Sequence, residues 1–118
     1  MELLLVRIQA VREGRTVTDN QTIVLPPELR IRGVSIVFGN APLATALPIG
    51  KEIVQRFGPA GLPIYSGAAG PQELGKATDA SRAIAAALKA ERLTILALGP
   101  ATNIPTVLRN HPEVARAI

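Results

Sequence analysis

Two textures of apolar and polar positions meet near residue 30 of this chain. Before it, Glu2-Leu-Leu-Leu-Val-Arg-Ile-Gln-Ala-Val11 sets Val6, Ile8 and Ala10 against Arg7 and Gln9, the period-two spacing of a strand. Arg12-Glu-Gly-Arg15 reads as a turn, and the β-branched stretch from Thr16 to Leu25 as a second strand. Together they predict an N-terminal β-hairpin or a pair of edge strands over residues 1–30. Pro26 and Pro27 close the region, because neither can donate to a ladder.

From Ile31 onward, strand and helix signals alternate. Ile31 to Phe38 is an apolar run of strand length, and Ala41 to Phe57 has helical spacing, with Leu43, Leu47, Ile53, Val54 and Phe57 on one stripe. Pro48 lies inside that stripe and is expected to kink or divide the helix. Gly58 to Pro63 is a turn, Ile64 to Gly67 a short strand, and Ala68 to Ala77 a loop. Thr78 suits an N-cap for an alanine-rich helix from Asp79 to Ala90, whose first-turn aspartate complements the helix dipole. Leu93 to Leu98 is the next strand. Pro105 fits the first turn of a helix ending near Asn110, and Pro112 opens one more. Alternation of this kind predicts an α/β fold with three layers and a mainly parallel sheet over residues 31–118.

In such a sheet the turns leaving the strands gather along one carboxyl edge, where ligands bind. Two of these turns carry an asparagine: Val34-Ser-Ile-Val-Phe-Gly-Asn40 and Leu93-Thr-Ile-Leu-Ala-Leu-Gly-Pro-Ala-Thr-Asn103. An uncharged amide offers donors and an acceptor together, which suits a hydroxyl-rich ligand. Asparagine is equally at home in a tight turn, so a structural role for Asn40 and Asn103 stands beside the binding role. Thr102 could likewise cap the following helix.

Composition narrows the classes. A chain of 118 residues with 47% apolar content can enclose one core. The net charge of +4 favours an anionic partner, but the basic residues are scattered among glutamates and only Phe38, Phe57 and Tyr65 could stack on bases. Nucleic acid is therefore not expected as a partner. With no cysteine, thiol catalysis and cysteine-ligated metals are excluded. Arg7 interrupts the apolar start too early for a signal peptide or membrane span, so a cytoplasmic location is expected.

Gly70-Pro-Gln-Glu-Leu-Gly-Lys76 has the spacing of a phosphate-binding loop. Ala77 stands where a magnesium-binding hydroxyl is required, Pro71 removes a donor and Glu73 would face the phosphates, so this reading is rejected. His111, the single histidine, is expected at a helix–helix turn as a surface residue or cap.

The stretches Arg32-Gly-Val-Ser-Ile-Val-Phe-Gly-Asn-Ala-Pro-Leu43, Leu62-Pro-Ile-Tyr-Ser-Gly-Ala68 and Leu96-Ala-Leu-Gly-Pro-Ala-Thr-Asn-Ile104 closely resemble the inosine–uridine-preferring nucleoside hydrolases. The likeness spans about residues 30–118. It implies N-glycosidic hydrolysis of ribonucleosides with a bound calcium ion. It places Asn40 in the ribose pocket and gives the backbone carbonyl of Thr102 to calcium. Such an ion takes six to eight oxygen ligands and can lower the pKa of a bound water. The family's opening Asp-Thr-Asp-Pro-Gly-x-Asp-Asp cluster, source of most ligands and of the general base, has no counterpart before Ile31, where Asp19 stands isolated. Later family residues, an aspartate ligand and a histidine proton donor, would fall beyond Ile118. The expectation is thus a partial domain of this family that binds calcium weakly and hydrolyses no nucleoside by itself. The alternative is a non-catalytic module that binds a small polyol or a protein through the same rim. A short sheet with an open edge also predicts a homo-oligomer.

Overall fold

The computed structural model describes residues 2–5 and 30–118. Its strands are β1 (Glu2–Leu5), β2 (Arg30–Ile36), β3 (Ile64–Ser66) and β4 (Thr94–Leu96). All pair in parallel, in the order β3-β2-β1-β4. Leu3 stands opposite Ile31 on one side and Thr94 on the other. Glu2–Leu5 is thus an interior strand, where the sequence suggested a hairpin arm or an edge. The run Leu3-Leu-Leu-Val6 lacks the polar alternation of a half-exposed hairpin arm and has the apolar texture common in parallel strands. The alternation that suggested a hairpin begins only after it. The proposed turn and second arm lie outside the described residues.

The helices are α1 (Leu43–Phe57), α2 (Asp79–Ala90) and α3 (Asn103–Asn110). On β2, Val34 and Ile36 are buried in a cluster with Ala46 and Val54 of α1. Side chains alternate along a strand, so Ser35 between them points to the opposite face, where it meets α3. Each fully buried valine or isoleucine of this kind is worth about 1.5–3 kcal/mol. Gly50 brings the α1 backbone directly onto Ile36; an added Cβ there would overlap the Ile36 side chain. Pro48 sits within α1 without dividing it. Proline leaves the carbonyl one turn earlier, that of Ala44, without its usual donor. The contact of Ala46, Gly50, Ile53 and Val54 with the interior carries the helix past that gap.

The second cluster joins Ile84, Ala85 and Leu88 of α2 to Leu93, to Val107 of α3 and to Val114. Thr78 and Ser81 form a reciprocal cap on α2. The Ser81 N–H donates to Thr78 Oγ1 at 3.1 Å, and the Thr78 N–H donates to Ser81 Oγ at 2.8 Å. A 3-10 turn, Pro112–Ala117, packs back, its Ala117 carbonyl accepting the Leu93 N–H at 2.9 Å. No helix among the described residues is long and apolar enough to cross a membrane.

Chain direction across the sheet decides where a site can form. The path β1 to β2 to β3 moves steadily one way; α2 then returns it past β1 to β4. The reversal lies between β1 and β4. In an open α/β sheet the crevice at the carboxyl ends of two such strands is the usual ligand site.

Candidate functional site

Three described segments leave the strands at the carboxyl rim: 37–42 after β2, 67–78 after β3 and 97–102 after β4. Asn40 lies on the first and is exposed. Its turn is held by the Gly39 N–H donating to the Ala41 carbonyl at 3.1 Å.

Asn103 has the opposite placement. It begins α3 and is only 2% exposed. Its Nδ2 donates to Ser35 Oγ at 3.3 Å, and its Oδ1 accepts the Ala68 N–H at 3.3 Å. One side chain thus links α3 to β2 and to the segment after β3. Gly67 must be glycine for this to happen, since a Cβ there would come within 2.6 Å of Asn103 Nδ2 and 2.7 Å of the Ile36 carbonyl oxygen. Ser35, Gly67 and Ala68 escaped attention in the sequence, although a lone serine in Val34-Ser-Ile-Val37 was a signal. A polar side chain buried on a core strand needs a partner.

Thr102 is buried, and its side chain makes no cap bond to α3. Its N–H donates to the Pro100 carbonyl at 2.8 Å, while its own carbonyl accepts the Thr106 N–H at 3.1 Å. That oxygen keeps one lone pair at most for another partner. Thr106, itself buried, accepts the Gly75 N–H at 2.9 Å through Oγ1, and Asn110 donates from Nδ2 to the Gly75 carbonyl at 3.1 Å. Gly75 has φ of 89°, the left-handed region that favours glycine. The loop after β3 is therefore pinned along α3 at three points.

These bonds also dispose of the phosphate-loop spacing. The Gly75 N–H goes to Thr106, the Glu73, Leu74 and Lys76 N–H groups close local turns, and the Ala69 N–H donates to Glu73 Oε2 at 2.7 Å. Donors at Glu73, Leu74, Gly75 and Lys76 are thus committed within the protein. His111 is the C-cap of α3, its N–H donating to the Val107 carbonyl, and its Nδ1 lies 3.5 Å from Glu113.

The donor set can be tested against calcium directly. Glu52 pairs with Arg56, Asp79 with Arg82, Glu91 with Arg32, and Glu113 with Lys89 and His111. Glu73 is bonded to Ala69, and Glu2 stands at the amino end of β1, away from the rim. Among the described residues no three acidic, histidine or cysteine side chains converge. One carbonyl and scattered, engaged carboxylates do not meet a demand for six to eight oxygens. The described residues do not fit the ion.

A hollow of about 420 Å³ opens at the other end of the sheet, lined by Arg30, Ile31 and Arg32 at the start of β2, by the turn from Pro59 to Pro63 and by Tyr65. It is remote from both asparagine turns.

Comparison with known proteins agrees with the rim's motifs. No curated protein matches the chain. The model of the family described as inosine-uridine preferring nucleoside hydrolase matches residues 18–118, reaching further toward the N-terminus than the likeness first seen near residue 30. With the parallel sheet, its switch point and the Gly99-Pro-Ala-Thr-Asn103 turn all in place, this chain belongs to the inosine-uridine preferring nucleoside hydrolase family.

Proposed function

We propose that the carboxyl rim of this sheet recognises the ribose of a ribonucleoside, and that the chain as it stands binds such a ligand without cleaving it. Family membership implies a nucleoside ligand, and the exposed Asn40 amide on the rim is the observation that carries the reading. The Asn40 side chain can donate to one sugar hydroxyl and accept from another. Asn103, assigned to the same task from sequence, serves the rim from within, because it is buried and bonded to Ser35 and Ala68. Thr102 occupies the place that the resemblance gives to a calcium-binding carbonyl.

Magnitude argues against catalysis. Enzymes lower barriers by about 8–23 kcal/mol, and for this reaction a carboxylate base and a stabilised oxocarbenium-like transition state are needed. The residues that follow β1, Val6-Arg-Ile-Gln-Ala10, contain no carboxylate. One amide cannot supply that stabilisation.

Titrating inosine and free ribose into the protein, with calcium and with a chelator, tests this. Saturable, calcium-indifferent binding without ribose release is expected. Ribose release abolished by the chelator would contradict the non-cleaving half of the proposal, and no binding of either ligand would contradict the recognition half.

The same proposal includes a cytoplasmic location and self-association. Leu96 and Leu98, on and after the outer strand β4 of the described sheet, are 41% and 53% exposed. A solution mass above that of one 12.4 kDa chain is expected; a mass equal to it would contradict this part.

A further inference from the structure

We infer that Asn103 is a positioning residue whose buried amide sets the orientation of the Asn40 turn through a relay of hydrogen bonds crossing three segments. The relay is continuous. Asn103 Oδ1 accepts the Ala68 N–H, and the carbonyl of the same Ala68 accepts the Phe38 N–H at 3.0 Å. Phe38 lies two residues before Asn40. Alongside it, the Gly67 N–H donates to the Ile36 carbonyl at 2.7 Å, so the segment after β3 holds the end of β2 at two successive places. Asn103 Nδ2 grips β2 again at Ser35. The ends of β2 and β3 and the start of α3 are therefore referenced to one side chain. Ala68 and Ser35 are 1% and 0% exposed, so water cannot substitute for the amide without opening the packing.

Asparagine is needed here because the site asks for one donor and one acceptor on a single planar group. Leucine or alanine supplies neither. An ionised aspartate keeps the acceptor for Ala68 and can take a hydrogen bond from the Ser35 hydroxyl but brings a buried negative charge, whereas a neutral aspartic acid reproduces both bonds of the amide, its O–H donating to Ser35 and its other oxygen accepting from Ala68. Burial favours the neutral form of such an acid, so function in that variant should survive to a higher pH than an exposed carboxylic acid would allow. Packing alone would not discriminate between the two protonation states. Hydrogen bonding would.

The inference relies on the ribose-recognition reading for one of its two readouts only. Backbone amide resonances of Phe38, Gly39 and Ala68 are followed in ligand-free Asn103→Asp from about pH 5 to about pH 8, alongside inosine titrations at both ends. At low pH the variant should resemble the wild-type protein in all three resonances and in affinity. At high pH the carboxylate still accepts the Ala68 N–H but as a charged acceptor, so the bond at the head of the relay changes strength; all three resonances should move, and inosine affinity should change with them. Phe38 and Gly39 resonances that ignore pH, with or without a change at Ala68, would overturn the inference. If the wild-type protein fails to bind inosine, the recognition reading fails, and the resonances still decide the positioning role. Asn103→Ala serves as the reference for complete loss; should it not fold, the aspartate series stands alone.

Discussion

The two turns that end in asparagine look alike in sequence and differ completely in burial. Each closes an apolar run, each precedes a helix, and each passes through a glycine. Yet Asn40 is exposed with its turn closed by backbone bonds, whereas Asn103 is 2% exposed and bonded to β2 and to the segment after β3. The difference arises from what lies opposite. Across from Asn103 are a serine on the inner face of β2 and a glycine whose missing side chain leaves room for the amide. An identical residue type is thus buried and bonded in one turn and exposed in the other, and only the three-dimensional neighbours decide which.

The largest effect is expected from removing the frame. Asn103→Ala deprives the buried Ala68 N–H of its acceptor and takes one partner from Ser35, and should destabilise the protein by about 2–4 kcal/mol in urea unfolding. Gly67→Ala attacks the same contact from the other side. Its methyl group would press on Asn103 and on the Ile36 carbonyl, backbone that cannot yield, for a loss of about 1–3 kcal/mol. Unfolding free energies for both variants that match wild type would erase the distinction between the turns.

Asn40→Ala should do the reverse. As an exposed substitution it should change stability by less than about 0.5 kcal/mol. Loss of its amide should nevertheless weaken inosine binding by about tenfold, as one uncompensated hydrogen bond to the ligand would. Unchanged affinity would remove Asn40 from the binding surface.

The smallest effect belongs to Glu113, which lies past the C-terminal end of α3 and is useful as a control. Its carboxylate is held below the ordinary range first by its own backbone N–H, then by the charges of His111 and Lys89. A depressed carboxylate pKa adds stability above the unfolded-state pKa that disappears as pH falls through the lower folded-state value. Glu113→Gln should therefore lower stability slightly at neutral pH, flatten the acid side of the stability profile and leave both asparagine turns unaltered. A change in the Asn40 or Asn103 resonances would show that the two ends of the molecule are coupled.

Much of the local structure was legible from single residues. Thr78 was readable as an N-cap, and α2 runs over Asp79–Ala90 as its spacing indicated. Pro105 fell in the first turn of α3, and the carboxyl-rim turns follow their strands in the expected order. What stayed hidden was pairing between distant segments. Pro48, expected to kink or divide its helix, does not divide it, because local propensity knows nothing of Ile36 beneath Gly50. The central place of Glu2–Leu5 depends on which strands flank it, and a four-residue apolar run carries no information about its neighbours. The burial of Asn103 depends on Ser35, 68 residues away in the chain.

Hydrogen exchange of the side-chain amides reads that contrast with the least inference. With ribose absent, the Asn103 amide protons should exchange at least about a hundredfold more slowly than those of Asn40, the protection expected when opening costs about 2–3 kcal/mol. Adding ribose should shift the Asn40 amide signals and leave those of Asn103 in place. Equal exchange at the two positions, or a ribose-induced shift at Asn103 larger than at Asn40, would contradict the division of labour on which the account rests.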